Sequence, residues 1–161
     1  MHPTAMAFVA HHADHHGPFR QIIELGSLDI NGSCRHLFTD CTYVGIDRQE
    51  GRGVDIVCDI LDLAAHPTHD LVICTEVLEH APDQRAIIDK AFDLLRPGGY
   101  LILTAATDPR TPHSGIDERP IREWETYRNV VPAEMADWLS RFTICGLDLS
   151  VVGDYYVCAR K

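Results

Sequence analysis

Acidic residues recur where short apolar runs of the sequence end. Asp47 follows Tyr-Val-Gly-Ile, Asp59 follows Asp-Ile-Val-Cys, and Glu76 follows Leu-Val-Ile-Cys-Thr. Parallel strands place their carboxyl ends at one edge of a sheet, and ligands of open α/β sheets bind at that edge. Grouping carboxylates there costs electrostatic repulsion. The pattern therefore predicts a ligand that is cationic or rich in hydroxyl groups.

A turn that contains glycine follows the first apolar run. Residues 24–33 read Glu-Leu-Gly-Ser-Leu-Asp-Ile-Asn-Gly-Ser, and such a turn exposes backbone N–H groups to a ligand. Five residues separate Gly26 from Gly32, so the dinucleotide pattern G-x-G-x-x-G is not present, and neither is the triphosphate pattern G-K-[ST]. The turn therefore disfavours a pyrophosphate or triphosphate ligand.

Hydrophobic patterning predicts the elements that position these residues. Apolar residues recur at helical spacing over 83–96, before Pro-Gly-Gly ends the helix. Only 48–53 separate the second and third predicted strands, which leaves no room for the usual crossover helix. This arrangement indicates an α/β fold with a mostly parallel sheet buried on both faces. Its predicted strands are 21–25, 43–46, 54–58, 71–74 and 100–104.

The two ends of the chain complete one predicted domain, residues 1–161. A leading helix is expected within 1–19 and an amphipathic helix over 132–141. The last apolar runs, 143–152 and 155–159, predict an antiparallel C-terminal hairpin.

Four histidines stand on the leading helix, at positions 11, 12, 15 and 16. Their i, i+4 spacing suits a transition metal. A solvated helix face is the favoured interpretation, with the metal as the alternative.

Composition narrows the class of protein. The 161 residues are 45% hydrophobic and 24% charged, which is typical of a globular domain. A formal net charge of −10 disfavours an extended nucleic-acid surface. The six cysteines form no C-x-x-C pair, and we interpret them as buried free thiols in a reducing, cytoplasmic setting. No signal-peptide pattern and no apolar run of 18 residues is present, so a membrane is not an expected partner.

Several motifs together resemble a known family. In order they are E-L-G-S with N-G, Y-V-G-I-D, V-D-I-V-C-D, D-L-V-I-C-T-E-V-L-E-H and L-L-R-P-G-G-Y-L-I-L-T. This series, over residues 20–106, resembles the class I S-adenosylmethionine-dependent methyltransferases. The resemblance implies a Rossmann-like, doubly wound sheet, S-adenosylmethionine as cofactor and methyl transfer as activity.

The resemblance also implies a set of cofactor-binding residues. Those expected near the methionine half are Glu24, Gly26, Ser27, Thr75 and Glu76, with Asn31 in the same glycine turn. Asp47 matches the acid that binds the ribose hydroxyls, with Arg48 following it. Asp59 and Ile60 match the pair beside the adenine. This cofactor has two positive centres and a ribose, which gives the acidic sheet edge a physical reason.

Two histidines are candidates for a general base, should the acceptor be a hydroxyl. They are His80 and His113, because imidazole titrates near neutral pH. Glu76, Glu79 and His80 form E-x-x-E-H, which is similar to the Mg²⁺ site of some methyltransferases that act on RNA 3′-end ribose or on polyphenols, and His113 could add a fourth ligand. Histidine is a poor ligand for a hard cation, so a structural role is favoured over Mg²⁺.

The segment 107–131 is long for a connection in a compact domain and is predicted to be a lid over the methyl acceptor. Tyr127, Arg128 and Asn129 are its predicted acceptor-side residues, with surface packing as the alternative. A small-molecule acceptor is expected, and a homodimer is possible. A non-catalytic cofactor-binding or interaction module with a methyltransferase fold is the alternative function, and an NAD-dependent oxidoreductase is disfavoured by the turn.

Overall fold

The computed structural model describes residues 2–117 and 119–161. Its strands are β1 (Gln21–Leu25), β2 (Thr42–Asp47), β3 (Ile56–Val57), β4 (His69–Thr75), β5 (Leu95–Ala106), β6 (Thr143–Leu149) and β7 (Asp154–Arg160). Its α-helices are α1 (Pro3–His16), α2 (Gln84–Leu94) and α3 (Pro132–Trp138). Short 3₁₀ turns lie at Cys34–Leu37, Ile60–Asp62 and Leu78–His80.

All seven strands form one sheet in the order β3-β2-β1-β4-β5-β7-β6. The strands from β1 to β5 pair in parallel, whereas β7 runs antiparallel to both β5 and β6. The order reverses between β1 and β4, which is the position where open α/β sheets bind ligands. The predicted fold class, a mostly parallel sheet that ends in an antiparallel hairpin, is confirmed.

Side chains alternate between two hydrophobic layers along the central strands. Ile23 and Leu25 of β1 pack in the layer that contains α2, while Ile22 packs with Val9 of α1 on the opposite face. The period of two residues in a strand produces this division. The sheet is therefore buried on both faces, as its continuous apolar runs predict.

Helix α2 illustrates how the sequence sets an element's limits. Asp83 caps its first turn by accepting a 3.0 Å hydrogen bond from the Ala86 N–H. Its buried residues include Ile87, Ile88 and Leu94, which recur at helical spacing. The helix is two residues shorter at its end than the predicted 83–96, because β5 begins at Leu95.

The connection between β2 and β3 contains no helix, as predicted for 48–53. It is held against the glycine turn instead, because the Asp29 N–H donates to the Arg52 carbonyl at 2.8 Å. A β-carbon on Gly45 would lie 2.3 Å from the Gly53 carbonyl oxygen. Glycine at position 45 therefore lets the short connection fold back over β2. The predicted strand 54–58 is reduced to two residues.

Two predictions about burial are wrong in part. Cys145 is exposed, and Cys41 and Cys58 are only partly buried; β6 is an edge strand and β3 is short, and all six thiols are free. His12 is buried rather than solvated, since α1 packs this side of the helix on the sheet. Burial and the neighbouring histidines lower the pKa of His12 to about 4. His11 and His15 do face solvent.

None of the helices in residues 2–117 and 119–161 is both long and apolar enough to cross a bilayer.

Candidate functional site

A cavity of about 1040 Å³ opens at the carboxyl ends of the first four strands. Every residue predicted from the sequence to bind a cofactor lines it, and so do both candidate bases. These residues are Glu24, Gly26, Ser27, Asn31, Asp47, Arg48, Asp59, Ile60, Thr75, Glu76, His80 and His113. The fold therefore brings positions that are up to 89 residues apart, from Glu24 to His113, to one site.

The turn after β1 is fixed to the end of β2 by two backbone hydrogen bonds. The N–H groups of Gly26 and Ser27 both donate to the Ile46 carbonyl, at 2.8 and 2.9 Å. Gly26 has a φ of 76°, and a β-carbon there would lie 2.2 Å from Cγ2 of Val77. Only glycine fits this position. Oγ of Ser27 is buried and has no hydrogen-bond partner among the described residues, and it faces Gly45 of β2, where an added β-carbon would lie 2.6 Å from it.

Glu24 is the most enclosed acid of the predicted cofactor set, with 3% of its surface exposed. Its Oε2 accepts a 2.8 Å hydrogen bond from the Tyr43 hydroxyl, and its Oε1 accepts a 3.6 Å contact from the Cys34 thiol. Burial raises the pKa of Glu24, and the Tyr43 hydrogen bond opposes that rise. The same site raises the pKa of the Cys34 thiol to about 12, chiefly by burial.

Backbone amides hold the carboxylate of Asp47 at the end of β2. Its Oδ1 accepts from the Gln49 N–H at 2.9 Å and its Oδ2 from the Leu28 N–H at 3.2 Å. A carboxylate oxygen has two acceptor positions, so each oxygen keeps one for a ligand hydroxyl. Two amide donors therefore orient Asp47 without using up its acceptor capacity.

Asp59 and Ile60 form the side of the cavity next to β3. Oδ1 of Asp59 accepts from the Leu61 N–H at 2.9 Å, and Oδ2 lies 4.0 Å from the Arg48 guanidinium. Ile60 is 8% exposed and presents an apolar surface to the cavity. An acid next to an apolar side chain suits a flat ring with polar edges.

Glu76 has a left-handed backbone, with φ at 57°. The Thr104 hydroxyl donates to its Oε1 at 2.8 Å, and the Arg110 guanidinium lies 3.9 Å from its Oε2. Arg110 also pairs with the buried Asp154. Glu76 is thus fixed between two neighbours, and its carboxylate is directed toward Thr104 and Arg110.

Three rings meet at the cavity wall. Their centroids are 5.2 Å apart for His80 and His113, 5.3 Å for His80 and Tyr127, and 5.1 Å for His113 and Tyr127. Burial, and then the His113 charge, lower the pKa of His80 to about 4. His80 is therefore neutral at pH 7 and able to accept a proton.

Glu79 lies beside these rings and is fully buried. Burial, and then the charge of Glu76, raise its pKa. Ligand atoms of Glu79, His80 and His113 all lie within 4.8 Å of one another, and they could hold a metal ion. Of the four predicted metal ligands, only Glu76 lies outside this cluster, because Thr104 and Arg110 hold its carboxylate.

The segment 107–131 borders the cavity through residues other than the three predicted to face an acceptor. Tyr127 reaches His80, but Arg128 pairs with Glu134. The Asn129 amide donates to Oδ1 of Asp108 at 2.9 Å and also to the Arg110 carbonyl. The residues of this segment that line the cavity are Arg110, His113, Ser114, Gly115, Ile116, Trp124, Glu125 and Thr126.

Several of the site's residues are missed by sequence reasoning. His2 and Pro3, at the start of α1, line the cavity although no motif indicates it. Sequence reasoning misses Tyr43 as a partner of Glu24, although the alternation of side chains along the strands could have indicated it. Gly45 pairs with Glu24 across β1 and β2, so Tyr43, two residues earlier, lies on the same sheet face.

Comparison with known proteins agrees with this geometry. The model of a family described as "Methyltransferase domain" matches residues 15–147. A ubiquinone biosynthesis O-methyltransferase from Xanthomonas oryzae pv. oryzae is 39% identical over 95 residues. That match covers 52% of this chain and 39% of the relative, so the chain matches about two fifths of the relative's length.

Solved structures show the same fold. The 1,6-didemethyltoxoflavin-N1-methyltransferase of Burkholderia thailandensis, with bound S-adenosylhomocysteine, superposes with a TM-score of 0.73 at 18% identity, over 99% of this chain and 77% of that one. The N-methyltransferase NodS of Bradyrhizobium japonicum, in complex with S-adenosylhomocysteine, gives 0.70 at 17% identity, over 98% and 85%. With the family match over residues 15–147, the chain belongs to the methyltransferase domain family.

Proposed function

We propose that the chain binds S-adenosylmethionine in the cavity and transfers its methyl group to a hydroxyl of a small-molecule acceptor. The observation that supports this most is the convergence of all ten predicted cofactor residues on one cavity. Small-molecule sites have volumes of roughly 300–1000 Å³. About 1040 Å³ therefore leaves room for a cofactor and a small acceptor side by side.

The donor set fits this cofactor. Glu24 and Glu76 would provide carboxylate groups for its cationic methionine half. Asp47 would accept hydrogen bonds from the ribose hydroxyls. Asp59 and Ile60 would lie beside the adenine. Bound here, the cofactor supplies a methyl group that its sulfonium has already activated.

The chain's own residues then have three tasks: to orient the acceptor, to exclude water and to remove a proton. His80 would accept the proton that the acceptor hydroxyl loses on methylation. Burial, and then the charge of His113, lower the pKa of His80 and keep it neutral. Trp124, which is 70% exposed, offers an aromatic surface at the cavity wall.

A hydroxyl acceptor is supported by two observations. The curated relatives are named as O-methyltransferases, and a hydroxyl benefits from a general base such as the one at the cavity wall. The lid assignment for 107–131 remains part of this proposal. Within the lid, Tyr127 is supported by its contact with His80, whereas Arg128 and Asn129 are engaged elsewhere.

Calorimetric titration with S-adenosylmethionine and S-adenosylhomocysteine tests binding, and transfer of labelled methyl to a panel of phenols, alcohols, amines and carboxylates tests turnover. Binding of both compounds with methylation of a hydroxyl compound supports the proposal. Binding without turnover on any acceptor favours the non-catalytic module. Failure of the folded protein to bind either compound overturns the proposal and favours a non-catalytic interaction module.

A further inference from the structure

Two histidines and a cysteine form a cluster under α1, outside the proposed methyl-transfer cavity. Ligand atoms of His12, His16 and Cys158 all lie within 4.8 Å of one another. None of the three lines the cavity. The histidines are one helical turn apart on α1, and the cysteine is on β7. The cluster therefore connects a helix to the sheet beneath it.

The sheet has a space for the His12 ring beside the thiol. Gly146 of β6 pairs with Cys158 of β7. A β-carbon at Gly146 would lie 2.8 Å from Nε2 of His12 and 3.8 Å from Cβ of Cys158. Any side chain at position 146 would push the imidazole away, so glycine here keeps the ring next to the sulfur.

The cluster is largely buried, and its hydrogen-bonding groups are not all paired. His12 is 6% exposed and Cys158 is fully buried, while His16 is partly exposed. The rings of His12 and His16 are nearly parallel, with centroids 5.5 Å apart. Nδ1 of His12 is buried without a hydrogen-bond partner among the described residues. A buried ring nitrogen that lacks a partner is costly unless a ligand engages it.

We propose that His12, His16 and Cys158 bind a divalent transition metal, for which Zn²⁺ suits the donors best. Imidazole nitrogen and thiolate sulfur are the ligands that Zn²⁺ prefers, at about 2.0–2.1 and 2.3 Å. Ligands of one tetrahedral zinc ion stand roughly 3.5 Å apart. Contraction of the cluster by about 1 Å therefore closes it around the ion. A water molecule would complete the tetrahedron as the fourth ligand.

The site has a structural consequence. A metal ion joined to α1 and β7 ties the helix to the sheet, and metal binding that requires the folded site stabilises the fold. The same helix begins at Pro3, which lines the methyl-transfer cavity. The metal would thus hold one wall of that cavity in place from the opposite end of the helix.

Cobalt provides a direct test, because tetrahedral Co²⁺ absorbs in the visible and a cobalt–thiolate bond adds a near-ultraviolet charge-transfer band. We expect both signals when Co²⁺ is added to the reduced, metal-free chain, and their loss when Zn²⁺ displaces it. Cys158→Ser should abolish the charge-transfer band, and His16→Gln should weaken binding. Zn²⁺ should raise the Tm of the wild-type chain and not that of Cys158→Ser.

Two matched controls lie next to the cluster. Cys145→Ser removes an exposed thiol on the neighbouring strand, and the pair His11 and His15 repeats the i, i+4 spacing on the exposed side of α1. Cys145→Ser and His11→Gln should keep the wild-type spectrum. A band that survives Cys158→Ser, or that disappears in Cys145→Ser, would overturn the assignment.

X-ray absorption at the zinc edge keeps the proposal testable if Cys158→Ser fails to fold, since it uses the wild-type chain. One sulfur at about 2.3 Å with two nitrogen ligands at about 2.0–2.1 Å is expected. A shell of nitrogen and oxygen alone would contradict the site.

Discussion

The hydroxyl of Tyr43 donates a 2.8 Å hydrogen bond to Oε2 of Glu24 from the neighbouring parallel strand. Glu24 lies at the cavity wall with 3% of its surface exposed, so solvent does little to support its carboxyl group. The sheet itself therefore provides its hydrogen bond. Because this hydrogen bond joins β2 to β1, a change in the charge of Glu24 should also change the stability of these two strands.

Replacing Tyr43 by phenylalanine removes that hydrogen bond and leaves a buried acceptor unsatisfied. We expect Tyr43→Phe to lower the free energy of unfolding by about 1–3 kcal/mol, measured by urea denaturation. Tyr100→Phe is the matched control, because the Tyr100 hydroxyl makes no hydrogen bond among the described residues. Equal losses in the two variants would mean that the contact with Glu24 adds nothing to stability.

The raised pKa of Glu24 predicts a pH dependence of stability. Burial raises it above the ordinary value of 4.5, so between the two values the folded chain binds more protons than the unfolded chain. Stability from this group therefore falls as the pH rises from about 4.5 through the folded pKa. Glu24→Gln should flatten this fall in urea titrations at several pH values, whereas the exposed Glu50→Gln should retain it. Superposable profiles for wild type and Glu24→Gln would contradict the prediction.

Local patterns determine much of this fold. The apolar run at Gln21–Leu25 forms a strand with those same limits, and Asp83 caps α2. Acidic residues at the ends of strands also identify the cavity, because parallel strands must place their carboxyl ends at one edge of the sheet. Such features depend on neighbours in sequence or on the general geometry of a sheet.

Other features depend on contacts that are distant in sequence. The burial of His12 follows from where α1 packs, and its own sequence gives only a helix with histidines on both sides. Arg128 and Asn129 are predicted to face an acceptor, yet Glu134 and Asp108 engage them. Local periodicity does not report such partners, because polar residues in a long connection have many candidate partners.

The ribose assignment predicts that Asp47→Ala weakens cofactor binding. Loss of hydrogen bonds to a charged oxygen costs on the order of 1.5–3 kcal/mol, which corresponds to roughly a 10- to 150-fold higher Kd for S-adenosylhomocysteine. Calorimetry measures this. Glu50→Ala, an exposed acid three residues away, should leave the Kd unchanged. An unchanged Kd in Asp47→Ala would contradict the assignment of Asp47 to the ribose.

The base assignment predicts different effects on turnover and on binding. His80→Gln should lower the methylation rate by roughly 10²-fold or more without changing the Kd of S-adenosylhomocysteine. Because the base must be neutral, wild-type activity should fall as the pH drops through about 4. His113→Gln removes a nearby positive charge and should move this fall to higher pH. The exposed His66→Gln is the control, and a pH profile unaffected by His113→Gln would contradict the coupling.

Exhaustive EDTA treatment tests the metal hypothesis for the cavity, and we expect methyl transfer to survive it. Thr104 and Arg110 hold the carboxylate of Glu76, and burial raises the pKa of Glu79, so neither group is well suited to bind Mg²⁺. The experiment should use the Cys158→Ser variant. This variant lacks the proposed zinc site, so an effect of EDTA on activity cannot come from loss of that zinc. Activity lost with EDTA and restored by Mg²⁺ in that background would show that the cluster of Glu79 with the two cavity histidines works as a metal site. Activity that persists would indicate that Glu79, His80 and His113 serve in proton transfer and packing rather than in metal binding.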